Sequence, residues 1–501
     1  MGKIIPVQRE FRPVLPTVFG NVDYRRFEED LLRIDQILDL GGVEQLFVEL
    51  SLEQWLARSG DRVPSARQQD WYQKRSAQAL RCVVLMKLLG EDLRGMSRRL
   101  AECPLFQWFC GVDRLGEVRV PSKSQLGRYQ DWLPQDKMDL VNERLIRATR
   151  EHDANGGINR LWLANDLELD TVWIDSTCVE ANIHYPVDWV LLRDATRTLM
   201  KATDLIRRHG LRHRMREPRC FISQINAQCI AMAQSARADG SRKARKRVLR
   251  RMKGIVGVVR RHARRHRDLL DRHWQQTDWT RPQAEQVLRR IDGVLKQLPA
   301  AIRQAHERII GERRVDNADK ILSLYEPDVQ VIVRGKAGAE VEFGNSLLLA
   351  EQAQGLIVDW HLHRESAPTD SRQLAVSLER LEARLGMGVI KAVGGDRGLD
   401  SESNRRLLSD RGIFNGLCPR GVEELKRRRH GHRFGAMQRR RAQTEGRIAI
   451  LKNCFFGRPM RAKGYEHRAL AVSWSVLAHN LWVLARLETL EAGESESREA
   501  A

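Results

Sequence analysis

Residues 241–274 read SRKARKRVLRRMKGIVGVVRRHARRHRDLLDRHW, with Arg or Lys on most turns and an apolar stripe made by Val248, Leu249, Ile255, Val258 and Val259. The stripe predicts an amphipathic helix that buries one side. The remaining sides repel one another unless counterions or a polyanion neutralise them. A solvated charged face and a helix laid against nucleic acid both satisfy this pattern, and the length of the run favours the second. The whole chain leans the same way. Over 501 residues, 86 Lys+Arg stand against 65 Asp+Glu, a net charge of +21, and such an excess predicts an anionic partner. With 42% hydrophobic residues and scattered Trp and Phe, a chain of this length forms roughly two to four folded domains. A small stapled scaffold and a wholly disordered one are excluded.

The first twenty residues mix Lys3, Arg9, Glu10 and Arg12 with prolines and show no apolar signal core. The most apolar late stretch, 470–487, is interrupted by Ser473, Ser475, His479, Asn480 and Arg486, which predicts a buried helix and no bilayer span. A cytoplasmic, nucleoid-associated protein with no membrane partner is the expectation. The 8 cysteines form no C-x-x-C pair and read as reduced core thiols.

About the first 150 residues have helical spacing, clearest at 27–40, 43–56 and 77–100. VPSKSQLGRYQDWL at 120–133 opens with Pro121 and the cap Ser122, and sets Leu126, Tyr129 and Leu133 on one face. It suits a helix offered to a nucleic-acid backbone and, equally, an ordinary bundle helix. At Leu169 the character changes: TVWI at 171–174 is a short β-rich run that ends at Asp175. Residues 185–315 are strongly helical and basic. Strand signals return at 329–333, 340–349 and 356–361, spaced by glycines like a meander. A helix is predicted over 370–385, then a strand over 389–393 closed by Gly394-Gly395-Asp396-Arg397-Gly398. Further helices are predicted over 399–409, 437–452 and 467–487, with a frayed tail after Glu491. The simplest arrangement is a sheet with helices on its faces, divided by a helical insertion.

Three acids carry the chemistry. Asp175 and Asp396 each stand where a predicted strand stops, the position at which ligands gather in open α/β sheets. At about 100° per residue, Arg441, Glu445 and Lys452 fall at roughly 0°, 40° and 20°, so one helix face holds an acid between two bases. Taken singly, an Asp after a strand is more often a turn former or helix cap than a ligand, and a helix Glu between bases is usually a surface ion-pair partner. If they converge they need a cation, because two carboxylates about 4 Å apart repel by roughly 4 kcal/mol at an effective dielectric near 20. Hard oxygen ligands favour Mg²⁺ or Mn²⁺, and two such ions suit phosphodiester cleavage and transfer.

The order and setting of these acids resemble the DDE transposases of bacterial insertion sequences. The matching stretches are VWIDST around Asp175, EANIHYPVD at 180–188, EFG at 342–344, VGGDRG around Asp396, EGRIAILK at 445–452 and RAKGYEHRALAVSWSVLAHNLWVLARL at 461–487. An N-terminal stretch, LLGEDLRGMSRRLAECPLFQWFCGV at 88–112, adds to it. The resemblance implies an RNase H-like catalytic domain: a mixed α/β sheet with flanking helices, joined to an all-α N-terminal domain and a basic helical insertion after the first strand. Its boundaries would be an N-terminal helical DNA-binding domain at 1–160, the catalytic domain at 165–184 and 325–490, the insertion at 185–324 and a disordered tail at 491–501. By the same resemblance Asp175, Asp396 and Glu445 are the catalytic, metal-binding triad for two Mg²⁺ or Mn²⁺ ions. Arg441, Lys452, Arg447 and Arg397 would contact DNA. Arg441 and Lys452 fit the family's Tyr-Arg-Glu-Lys helix signature, whereas Gln438 takes the tyrosine place. The implied partners are double-stranded DNA, both terminal inverted repeats and target, and further copies of the chain in a synaptic complex.

Two rival functions fit the same residues: a nuclease or recombinase of that fold that cuts without joining, and a non-enzymatic DNA-binding protein derived from a transposase. Charge alone also suits an RNA-binding protein. His361 and His363 point the same way on a strand, but no Cys or acid at ligand spacing completes a zinc site.

Overall fold

The computed structural model describes residues 14–15, 17–60, 64–114, 117–152, 157–235, 241–336 and 339–490; the predicted tail at 491–501 lies outside them. Helices α1 (Val22–Leu40), α2 (Val43–Ser59), α3 (Ala66–Leu89), α4 (Leu93–Glu102) and α5 (Pro104–Cys110) come first. A two-stranded ribbon, β1 (Asp113–Arg114) with β2 (Glu117–Val118), leads to α6 (Lys123–Gln130) and α7 (Gln135–Ala148). The single helix predicted over 77–100 is therefore two. Gly90, at φ +63°, closes α3 in a conformation that side chains resist, and Asp92 starts α4 by accepting from the Arg94 and Gly95 amides. Ser122 caps α6 in a reciprocal box with Gln125, as its sequence predicts.

Strand β3 (Thr171–Glu180) enters the sheet. Four long helices then intervene: α8 (Asp188–Arg208), α9 (Pro218–Ser235), α10 (Ser241–His273) and α11 (Arg281–Ala305). They pack around a core of their own, to which α10 gives Val248, Leu249, Met252, Val256, Val259, Ala263 and Leu270. After them come β4 (Gln330–Lys336), β5 (Ala339–Gln352), β6 (Ile357–Leu362), α12 (Asp370–Leu385), β7 (Ala392–Gly395), α13 (Glu402–Asp410), β8 (Phe414–Leu417), α14 (Val422–Arg429), α15 (His432–Ile450) and α16 (Tyr465–Leu484).

The fold is mixed α/β. Its six-stranded sheet runs β4-β5-β3-β7-β8, with β6 on β5. Strands β3, β7 and β8 are parallel, and β5 is antiparallel to β3, β4 and β6. Strand β3 runs five residues past the predicted stop at Asp175, because β5 pairs with it from Val172 to Glu180. A side chain at Gly344 would place its Cβ 2.0 Å from the Val179 carbonyl oxygen, so that crossing tolerates only glycine. One continuous apolar cluster joins α1–α7, the sheet and α16.

Helix α16 is buried on nearly every face. Its polar residues are consumed by tertiary hydrogen bonds: Asn480 clasps both the amide and the carbonyl of Ile357 at 2.9 Å, and Ser473 donates to Asp139 at 2.7 Å. Among the described residues no helix is long and apolar enough to cross a membrane. Burial holds the His479 imidazole down at about 4. The unfolded chain takes up that proton near pH 6.5 and the folded chain does not, so stability is full above that pH and is lost as pH falls toward 4, by up to about 3 kcal/mol. Urea unfolding midpoints should fall over that window, and His479→Gln should flatten the fall. Equal pH dependence in both proteins would contradict a buried neutral imidazole.

Candidate active site

The register of the sheet brings two of the predicted acids together. In the parallel pair, Thr171 lies opposite Ala392 and Ile174 opposite Gly395, so Asp175 and Asp396 occupy the next step on neighbouring strands, which run about 4.8 Å apart. Asp396 is held by the turn that follows β7: its Oδ1 accepts from the amides of Gly398 at 2.9 Å and Leu399 at 3.3 Å. Asp175 Oδ1 accepts from the Ser176 amide at 2.7 Å.

Helix α15 is clamped across this end of the sheet. Trp173 Nε1 donates to the Met437 carbonyl at 3.0 Å, and Gln438 donates to the Gly416 carbonyl at 2.7 Å. Arg440 and Thr444 both bond the buried Glu351, at 2.9 and 2.7 Å. With that face committed, Arg441 and Glu445 turn to the other side. The result is a cleft of about 450 Å³ walled by Asp175, Asp396, Glu445, Arg441 and one further acid, Asp370. All three predicted acids thus line one cavity, with Glu445 itself exposed.

Asp370 was not legible in the sequence, where it looks like an ordinary first-turn acid of the 370–385 helix. A Cβ built on Gly398 would sit 2.5 Å from Asp370 Oδ2 and 3.1 Å from Asp396 Oδ1, so both carboxylates lean over the same glycine. Behind it, Gln373 donates to Asp370 Oδ1 at 3.2 Å and accepts from His363 Nε2 at 3.0 Å. Burial holds His363 below the ordinary imidazole range.

The other predicted DNA contacts are distributed differently. Arg397 is exposed on the turn beside Asp396. Arg447 is packed over Gly355 and donates to the Gln354 carbonyl. Lys452 is buried between Glu180 at 3.6 Å and Glu342 at 3.8 Å, away from the cleft. Seven residues of helix carry it about 10 Å along the axis from Glu445, and a π-helical turn over Leu451–Phe456 replaces the regular α-helix there. Cys220 and Cys454 are exposed, against the expectation that all the thiols are core residues.

Among the described residues no three His, Cys, Asp or Glu side chains are grouped closely enough to hold a metal ion. The acids share a cleft wall without forming a ligand cluster. The chemistry of the donor set still suits a hard divalent cation, since Asp175, Asp370, Asp396 and Glu445 offer only carboxylate oxygens to one space. No family model, no curated protein and no solved structure matches this chain.

Proposed function

We propose that this chain is a DDE-type DNA transposase of the insertion-sequence class, built on an RNase H-like catalytic domain. The observation that carries the reading is the shared cleft: Asp175, Asp396 and Glu445, nominated from three distant stretches of sequence, wall one cavity. Two Mg²⁺ or Mn²⁺ ions, held there by these carboxylates, would activate a water or a 3′-hydroxyl and stabilise the leaving oxygen. The chain's own groups supply the frame. The turn amides fix Asp396 through Oδ1. Arg441, about one turn before Glu445, presents a planar guanidinium suited to bidentate contact with a phosphate.

The basic helix α10 is the complementary feature. Arg250, Arg251, Arg261, Arg264 and Arg265 are exposed and, among the described residues, have no carboxylate within ion-pair reach. Phosphates of terminal inverted repeats would neutralise them and release counterions, which makes binding strongly salt-dependent. A synaptic complex of several copies, working on the nucleoid, is part of this proposal. The test supplies the purified protein with Mg²⁺ and duplexes carrying the sequences that flank its gene. Nicking at the element boundary followed by joining of the 3′-hydroxyl to target DNA supports a transposase, and cutting without joining supports the nuclease. The lack of a grouped acid trio among the described residues favours a second reading, a DNA-binding protein without catalysis, for which neither product forms.

Asp370 extends the proposal. Asp370→Asn is expected to slow cleavage by about tenfold to a hundredfold, less than loss of a triad acid, because it removes one of four charges facing the cations. Single-turnover cleavage in Mg²⁺ and Mn²⁺ measures it, and an unchanged rate in both would remove Asp370 from the site.

A further inference from the structure

A second cleft, of about 970 Å³, lies where α3, α4 and α6 meet the segment that leaves α15. Its wall carries Lys87, Arg94, Lys123, Arg458, Arg461 and Lys463. Two of these are already matched: Arg458 pairs with Glu180 at 2.6 Å and Arg461 with Asp92 at 3.8 Å. Of the other acids in the wall, Glu91 pairs with Arg99 at 3.2 Å, and Asp131 lies 3.7 Å from His467, which carries charge only when protonated. Lys87, Arg94, Lys123 and Lys463 have no carboxylate within ion-pair reach among the described residues. Lys87 lies innermost and gives its ammonium to the Phe455 carbonyl at 3.3 Å. Burial without a counter-charge pulls its pKa down to about 8. Arg94 shares the field of Asp92 with Arg461, while Lys87, Lys123 and Lys463 add positive charge that no ion pair offsets, so the concavity suits a chain of negative charges.

The sheet fixes where this cleft stands relative to the acids. Asp175 lines the acidic cleft and Asn182 lines the basic one, joined by the extended run of β3. The bridge between Ala181 and Met460 ties the end of that run to the basic wall. The seven residue steps from Asp175 to Asn182, the first five of them within β3, span roughly 20 Å, which equals about six base pairs at 3.4 Å per step.

We infer that the basic cleft grips the sugar–phosphate backbone of the same DNA duplex whose strand is cut among the acids, about six base pairs from the scissile phosphate. The inference rests on the reading of the acidic cleft as a DNA-cutting site, and its test separates the two. Lys123 and Lys463 are exposed, so Lys123→Gln with Lys463→Gln should leave the fold intact, as circular dichroism melting will show. Binding of an end-bearing duplex to the full-length protein, followed by fluorescence anisotropy across a salt series, should give a log–log slope shallower by about 2 in the double variant, and an unchanged slope in Asp396→Asn. Cys454, exposed in the same wall, should react more slowly with N-ethylmaleimide when that duplex is bound, read at that residue by mass spectrometry. An unchanged slope in the double variant, or Cys454 alkylated equally fast with and without DNA, overturns the inference. A shallower slope with a protected Cys454, in a protein that cuts no DNA with any divalent ion, keeps the basic cleft as a DNA site and refutes only the transposase.

Discussion

Asp396→Asn is expected to lower strand cleavage by about a thousandfold or more, the equivalent of about 4 kcal/mol of transition-state stabilisation, while duplex affinity stays within about twofold. Asparagine keeps an oxygen that accepts from the Gly398 and Leu399 amides, so the turn survives and only the charge is lost. Asp175→Asn and Glu445→Gln should behave alike, for both face the same cleft. The measurement is single-turnover cleavage of an end-bearing duplex, with binding followed separately. An Asp396→Asn protein that cuts at the parental rate would remove that residue from the chemistry.

The largest effect on stability is expected at Asp359, which is wholly buried in β6. Its two oxygens accept from Arg380 Nε at 2.8 Å and Nη2 at 2.6 Å, from Arg384 Nη1 at 2.7 Å and from Ser377 Oγ at 2.7 Å. Arg384 also reaches Glu143 on α7 at 3.1 Å, so one carboxylate fastens α12 to the sheet and, through that arginine, to the N-terminal helices. Removing one partner of a buried ion pair leaves the others desolvated without compensation, at a cost of about 3–5 kcal/mol. Asp359→Ala should lose that much in urea unfolding. A loss below about 1 kcal/mol would mean that the two arginines find water or another acid. Because α12 begins with Asp370, the same variant should also weaken cleavage at temperatures where it remains folded.

Much of this structure is legible locally. The 370–385 helix has strict apolar spacing and is observed over just those residues, and Ser122 caps α6 because a cap needs only its neighbours. What depends on distant partners is not legible. Asp175 reads as the end of a strand because TVWI is the β-rich part, yet pairing with β5 carries the strand on to Glu180. Strand β7 begins three residues later than its apolar run, at the level where β3 begins, with Asp170 accepting the Lys391 and Ala392 amides. Strand β8, a four-residue run containing Gly416, has too little local signal to be seen and exists by pairing with β7. Lys452 shares a helical face with Glu445 on a wheel, but a wheel discards axial distance and the π-helical turn. Asp370 joins the acids only because α12 docks beside the β7 turn, which no spacing in the sequence records.

The decisive measurement is anomalous diffraction from crystals of the full chain with an end-bearing duplex and Mn²⁺. The transposase reading requires manganese peaks coordinated by Asp175, Asp396 and Glu445. A cleft free of manganese in crystals that bind the ion and the duplex elsewhere would contradict it.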